Sequence, residues 1–342
     1  MKKHIASILF LFLLSTFQLI AQSHSVKRLG IEQGLSNNYV VSITQDKQGF
    51  LWFATEEGLN KFDGTRFTTY YKNDLTQDNQ GITGNELNRV YADTKHPIIW
   101  IATQRDGLNA YNYNEQTFTA YQHNPENPHS LITNDVTDIA PSTQHDDGLW
   151  ISTYYRGIEY LDITSGQFTH YNKSTVPSLP CDQTWTVLDG GDGNLYIGHV
   201  GSGFSIFSPK DKSVKNFRNE AGNPMSLPGN DVFCIIKDAN GNIWLGTNNG
   251  LALYDAANEN FITFKNNKND KYATLCSRIL SIRQLKDNRL WIASELNGIA
   301  ILNLKQSMFL SPEEISLEYI QEGAHNRSLS NASARCIFQD SF

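Results

Sequence analysis

The chain has 342 residues, of which 39% are hydrophobic and 11% aromatic, and its formal net charge at pH 7 is −7. This composition is that of a globular protein with many turns and many bulky, strand-forming side chains, and it excludes a disordered chain. The acidic balance shows no basic patch of the kind that nucleic-acid binding uses, so nucleic acid is not an expected partner.

The first 21 residues differ from the rest of the chain. Lys2 and Lys3 precede an apolar run over residues 5–14, and a small residue, Ala21, closes the segment. This order is typical of a cleavable signal peptide, and the run is short for the roughly 20 apolar residues that span a bilayer. We therefore expect residues 1–21 to direct export to the periplasm and residues 22–342 to form the mature fold.

A strand-like pentapeptide recurs six times, beginning with Leu51-Trp52-Phe53-Ala54-Thr55. Its aromatic second residue lies 46 to 50 residues from its counterpart in the next copy. The six aromatic anchors are Trp52, Trp100, Trp150, Tyr196, Trp244 and Trp291. Repeats of about 40–50 residues with strand patterning are typical of β-propeller blades.

Each copy carries four runs that alternate as β-strands do. In the first copy these are residues 40–43, the Trp52 strand, residues 58–62 and residues 67–70, with an Asp-x-x-Gly turn at 46–49. Blades packed around an axis bury both faces of each four-stranded sheet. We therefore predict that the anchors pack between blades and do not stack on a ligand.

The C-terminal residues begin a further copy. Residues 328–340 match residues 34–46, and residues 26–29 lie where an outer strand would precede the first blade. The sequence therefore predicts an all-β fold, a β-propeller of the seven-bladed type. Six blades are expected to be complete, and the seventh is expected to be truncated after residue 328. We accordingly expect the chain to be a fragment of a longer polypeptide. The four cysteines fall in four different blades, so we expect free, buried thiols at Cys181, Cys234, Cys276 and Cys336.

The repeat resembles a known family. Its pattern is Ser-Leu-x-x-Asn, an alternating strand, Asp-x-x-Gly-x-Leu-Trp-Ile-Gly-Thr, then Gly-Leu and Tyr-Asp, and the cleanest copy spans Leu227 to Asp255. This pattern is similar to the two-component regulator propeller repeat, and the likeness covers about residues 26–342. The resemblance implies the periplasmic sensor of a Bacteroides-type hybrid two-component system, which detects glycan fragments and regulates polysaccharide utilisation.

The resemblance also implies partners that lie outside this chain. These are an oligosaccharide ligand, a second propeller, downstream sensor and kinase domains, and an inner-membrane anchor in the full-length protein. A homodimer is left open. The kinase domain of that family is not found in this sequence, so no enzymatic activity is expected of it.

No catalytic or cofactor motif stands out in the sequence. The glycine-rich stretch from Asp189 to Asn194 is interpreted as a hairpin turn in preference to a calcium or phosphate site. His123 and His129 flank a proline-rich loop and are interpreted as loop residues in preference to a metal pair. We therefore predict no cofactor and no metal.

The variable loops indicate where a ligand would bind. In a four-stranded meander the loops between second and third strands share one face, and here they differ from blade to blade while the Asp-Gly turns of the other face repeat. Variation on a fixed scaffold favours binding. The candidate ligand-binding residues are Arg105, Asp106, Tyr154, Tyr155, Arg156 and Glu295.

Two other functions remain open at this stage. A carbohydrate lyase or hydrolase would need paired acidic groups, for which Glu56, Asp106 and Glu295 are candidates by position. A structural docking propeller would present the same loops to a protein.

Overall fold

The computed structural model describes residues 27–73, 81–264, 272–304, 316–323 and 328–341. Within these ranges, 24 strands form six four-stranded sheets. In every sheet the strands pair antiparallel in chain order, and each sheet is one blade of a propeller. The prediction of an all-β propeller with six blades is therefore confirmed.

The strands follow one another at nearly constant spacing. Blades one and two contain β1 (Val40–Gln45), β2 (Leu51–Thr55), β3 (Gly58–Phe62), β4 (Phe67–Tyr70), β5 (Leu87–Ala92), β6 (Ile98–Thr103), β7 (Leu108–Asn112) and β8 (Thr117–Tyr121). Blades three and four contain β9 (Val136–Pro141), β10 (Gly148–Thr153), β11 (Gly157–Asp162), β12 (Gln167–Tyr171), β13 (Thr184–Asp189), β14 (Leu195–His199), β15 (Phe204–Phe207) and β16 (Val214–Phe217). Blades five and six contain β17 (Val232–Lys237), β18 (Ile243–Thr247), β19 (Gly250–Asp255), β20 (Asn260–Thr263), β21 (Ile279–Gln284), β22 (Arg289–Ser294), β23 (Ile299–Asn303) and β24 (Leu317–Ile320). Single 3-10 turns lie at Ile31–Gln33 and Thr274–Cys276.

The aromatic anchors pack between blades. Trp52, Trp100 and Trp244 are fully buried. The ring of Trp52 lies 5.4 Å from that of Tyr111 in the next blade, in a core shared by blades one and two. Since a single blade has two apolar faces, this packing against a neighbour is what keeps both out of water.

The aspartates of the first turn hold the anchors in place. The indole N–H of Trp52 donates to Asp46 Oδ2 at 2.8 Å, and that of Trp244 donates to Asp238 Oδ2 at 3.0 Å. The other carboxylate oxygen of each aspartate accepts two backbone N–H groups of its own turn. The repeated Asp-x-x-Gly turn is therefore part of the scaffold.

A β-bulge recurs at one position of the inner strand. In β1, the register with β2 shifts between Val40 and Ser42, and the same shift occurs in the other blades. A bulge leaves one residue unpaired and re-aims its side chain. The residues at the bulges are Val41, Asn88, Thr137, Trp185, Phe233 and Leu280.

The predicted seventh blade is not supported. The described residues 331–341 form no strand, and Leu329 makes only an isolated bridge to Glu322. This segment contacts β1 and β21 through side chains: Cys336 Sγ donates to Val40 O at 3.6 Å, and Ile337 N donates to Ser281 Oγ at 3.3 Å. Because these contacts are not a backbone ladder, no seventh sheet results. Residues 27–29, within the predicted outer strand, also form no strand.

Two further sequence expectations concern the cysteines and the N-terminus. All four cysteines are free, as predicted; each residue is partly exposed as a whole, but burial of the thiol raises the pKa of Cys234 and of Cys336 to about 12. The predicted signal peptide, residues 1–21, lies outside the described residues. None of the described helices has the length and apolar character needed to traverse a bilayer.

Candidate ligand-binding site

The bulges direct one side chain from each blade towards the middle of the ring. All six bulge residues line a cavity of about 370 Å³, which we call the central cavity. Tyr39 and Arg335 line it as well, and the Arg335 guanidinium lies 3.7 Å from the centre of the Tyr39 ring. The fold therefore brings together residues that are about 48 positions apart in the chain.

A second cavity of about 730 Å³ adjoins the first on the side of blades two, three and four, and we call it the side cavity. The two cavities share Asn88, Gln104, Thr137 and Trp185. The remaining wall of the side cavity is formed by the loops that follow β6 and β10 and by the loop between β8 and β9 (residues 122–135).

Four of the six predicted site residues line the side cavity together. They are Arg105, Tyr154, Tyr155 and Arg156. Within the described part of the chain, neither guanidinium forms an ion pair within 4 Å, and Tyr155 is 54% exposed. Two guanidinium groups without an ion-pair partner thus line an open cavity.

Aromatic rings line the boundary between the two cavities. The Tyr154 ring meets the rings of Tyr155 and Trp185 edge to face, with centroids 4.3 and 6.1 Å apart. Trp185 in turn meets Phe233 at 5.9 Å, and the Arg278 guanidinium covers the Phe233 ring at 4.3 Å. Edge-to-face contacts of this kind hold rings in fixed orientations.

An acidic group moderates the charge of the side cavity. Burial raises the pKa of Asp135, and the nearby positive charge of Arg105 partly offsets that rise. The cavity therefore holds two arginines against one carboxyl group, with His123 at its edge. This balance suits an anionic or strongly polar ligand better than a cationic one.

Two ion pairs lie among the charged residues that line the central cavity. Glu295, a predicted site residue, accepts a hydrogen bond from Arg278 Nη1 at 3.3 Å. Deeper in the cavity, Arg89 Nε lies 3.0 Å from Asp138 Oδ1, and Thr186 Oγ1 donates to Asp138 Oδ2 at 2.6 Å. These groups brace the ring of inner strands.

The sixth predicted residue lies apart from both cavities. Asp106 forms an ion pair with Lys72 at 3.2 Å, and its backbone carbonyl accepts the hydroxyl of Thr83. Among the acidic residues considered for a glycosidase, Glu56 and Glu295 both line the central cavity, whereas Asp106 lines neither.

The glycine-rich stretch is part of the scaffold. Asp189 accepts hydrogen bonds from the backbone and hydroxyl of Thr143 and from the indole of Trp150, and Asp192 accepts one from Tyr196. Across the described residues, no three His, Cys, Asp or Glu side chains are grouped as a metal site would require.

Sequence reasoning missed the bulge residues. Strict alternation places Trp185 and Phe233 on a strand face, where they would only pack, but the bulge turns both into the central cavity. The signal that finds them is the repeat itself. The position directly before Ser42 and its counterparts changes from Val to Asn, Thr, Trp, Phe and Leu, whereas the position two residues further on is Ile or Val in every blade.

Comparisons with known proteins agree with this architecture. The family model described as the two-component regulator propeller matches residues 34–57 and 226–249. The extracellular domain of BT3049 from B. thetaiotaomicron, assigned to a hybrid two-component system, is 63% identical with a TM-score of 0.83. The alignment covers 93% of this chain and 40% of that domain.

Two other proteins are also similar to the chain. A curated relative, "Histidine kinase P4" of Formosa agariphila, is 42% identical over 66 residues, which are 19% of this chain and 5% of that protein. The extracellular domain of BT4673 from B. thetaiotaomicron has a TM-score of 0.66 at 20% identity, over 87% of this chain and 38% of that one, and shows the fold alone.

The chain thus spans less than half the length of these relatives. The six sheets and the two matches to the family model show that this chain is a propeller module. The chain therefore contains two-component regulator propeller repeats, and it shares both sequence and fold with an extracellular domain of a hybrid two-component system.

Proposed function

We propose that the chain is the ligand-sensing part of a hybrid two-component sensor kinase and that its side cavity binds an anionic oligosaccharide. The observation that carries this proposal is the pair of exposed, unpaired guanidinium groups of Arg105 and Arg156 beside the Tyr154 ring. Guanidinium groups bind carboxylate or sulfate through two parallel hydrogen bonds. The aromatic rings offer flat surfaces for the apolar face of a pyranose.

The remaining parts of the proposal concern the longer protein. Residues 1–21 would direct export, and the propeller would lie in the periplasm as part of a protein anchored in the inner membrane. A second propeller and a histidine kinase would follow. The relatives' descriptions support a sensor-kinase context, since one is an extracellular domain of a hybrid system and another is a histidine kinase.

The test is calorimetric titration of the chain with two tetrasaccharides of matched linkage, one of hexuronic acid and one of neutral hexose. We expect the hexuronate to bind at least about tenfold more tightly, because charged hydrogen bonds contribute about 1.5–3 kcal/mol and about 1.4 kcal/mol is a factor of ten. Equal affinity, or binding of the neutral sugar alone, would contradict the proposed ligand class.

A docking propeller remains the second candidate. The observation in its favour is that Tyr155 and Leu296, on the same face, are 54% and 70% exposed. Large exposed apolar side chains often mark protein contacts. In the titration just described, a docking propeller would bind neither sugar.

A further inference from the structure

Blade three fixes its leading loop differently from blades one and two. At one register of the third strand, blades one and two carry buried asparagines, Asn60 and Asn109, and blade three carries Glu159. In each blade this side chain accepts a backbone N–H from the loop that leads into the blade. The donors are Ser36, Thr83 and Ile132, at 3.0, 3.1 and 3.1 Å.

The third blade therefore uses an ionisable group where its neighbours use a neutral one. Glu159 is 0% exposed, and a fully buried carboxylate is costly unless a partner compensates its charge. The partner is His170, its cross-strand neighbour on β12, whose Nδ1 lies 3.0 Å from Glu159 Oε2. In blade one the matching neighbour is Thr69, which donates its hydroxyl to Asn60 at 2.9 Å.

His170 lies between two hydrogen-bond acceptors. Its Nε2 is 3.0 Å from the carbonyl oxygen of Pro128, and its Nδ1 faces the Glu159 carboxyl. A neutral imidazole has one N–H and cannot donate to both. Both contacts of His170 can form only when the pair carries one proton more than a Glu159 carboxylate beside a neutral His170. The extra proton is either on the imidazole or on the carboxyl group.

These contacts hold a wall of the side cavity. Pro128 and Ile132 belong to the 122–135 loop, and Ile132 and Asp135 line that cavity. The other titratable group that acts on Glu159 is His123, on the same loop, whose Nδ1 lies 2.8 Å from Leu131 O. The Glu159–His170 pair thus contacts this loop at two points, the Pro128 carbonyl and the Ile132 N–H.

We propose that Glu159 and His170 form a proton-dependent latch, which fixes the 122–135 loop when protonated and releases it as the pH rises. The latch does not depend on what the cavity binds, whereas its effect on ligand affinity rests on the proposed function. In blades one and two the equivalent hydrogen bond from the preceding loop is accepted by Asn60 and Asn109, which do not titrate.

The direction of the pH dependence follows from both members of the pair. Burial raises the pKa of Glu159, and the hydrogen bond with Glu159 raises the pKa of His170. The native state therefore binds protons more tightly than the unfolded chain. The stabilisation by the latch is fully present below about pH 6.5, the ordinary histidine value, and is lost as the pH rises through the raised value.

Hydrogen–deuterium exchange of the whole chain tests the latch without any ligand. Peptides covering residues 122–135 are followed from pH 6 to pH 9, with rates divided by the intrinsic rate at each pH. The corresponding loop of blade five, residues 219–231, contains no histidine and serves as the internal reference. Between pH 6 and pH 9 we expect the protection of residues 122–135 against exchange to fall. The fall should be about tenfold for each unit by which folding raises the pKa of the Glu159–His170 pair, and the protection of the reference loop should not change.

A matched variant copies the neutral arrangement of blade one. The triple change Glu159→Asn, His170→Thr and Ile132→Ser should retain protection and lose its pH dependence, whereas His129→Gln, an exposed histidine of the same loop, should behave as wild type. The same pH dependence in the triple variant would overturn the proposal. A second readout uses the wild-type protein and therefore does not depend on the variant folding. If nitrogen NMR at pH 6 showed that His170 Nδ1 is unprotonated while Glu159 also carries no proton, the proposal would be overturned.

Discussion

The two faces of the ring use repetition in opposite ways. On the face of the first turns, Asp46, Asp93 and Asp238 each accept the indole N–H of their own blade's tryptophan. On the other face, a Thr or Ser hydroxyl donates to a glycine carbonyl in five of the loops, but the residues at the loop tips differ, and Arg105 and Arg156 line a cavity. What repeats builds the scaffold, and what departs from the repeat is available for recognition.

Two blades lack the aspartate that accepts the indole N–H on the turn face. Blade three has Ser142 in place of the aspartate, and its Trp150 donates instead to Asp189 of blade four, at 3.2 Å. Blade six has Leu285 there, and the buried indole nitrogen of Trp291 has no partner among the described residues. Neighbouring blades therefore differ in how much this contact stabilises them.

The largest effect is expected from removing the contact where it is complete. Asp238 accepts hydrogen bonds from the backbone of Asn240 and Asn242, the side chain of Asn242 and the indole of Trp244. Asp238→Ala leaves these donors unsatisfied and should lower the free energy of unfolding by about 2–4 kcal/mol, measured by urea denaturation. The exposed control Arg66→Ala should change it by less than about 0.5 kcal/mol. Equal effects of the two would refute a structural role for the turn.

A smaller effect of opposite sign is expected in blade six. Leu285→Asp supplies the missing acceptor to Trp291 and should raise the free energy of unfolding by about 1 kcal/mol, the net value of one hydrogen bond. Leu285→Ala, which supplies no acceptor, is the control. If Leu285→Asp stabilises no more than Leu285→Ala does, the indole nitrogen is satisfied in some other way.

Most of the fold was predictable because it repeats. The six anchors and the Asp-x-x-Gly turns recur with little drift, so packing between blades followed from the spacing alone. The seventh blade was not predictable by the same argument, because a strand forms a sheet only beside a partner strand. Residues 331–341 find side-chain contacts with β1 and β21 instead.

The site was predictable only in part, for a related reason. Arg105, Tyr154, Tyr155 and Arg156 lie in loops whose face follows from the topology, and they do line one cavity. Trp185 was not among the predicted site residues, and one extra residue in a bulge directs its side chain into the central cavity. The ion pair of Asp106 with Lys72 and the pairing of Glu159 with His170 join residues 34 and 11 positions apart, which no local pattern connects.

The central claim is that the variable face binds the ligand and the turn face does not. Calorimetry with the hexuronate tetrasaccharide tests it through Arg105→Ala, Arg156→Ala and Arg66→Ala, which remove the same exposed side chain from opposite faces. Each of the first two should weaken binding by about tenfold or more without changing the unfolding free energy, since each removes a charged hydrogen bond, and Arg66→Ala should leave the affinity unchanged. Unchanged affinity for Arg105→Ala and Arg156→Ala, with a loss for Arg66→Ala, would contradict the account.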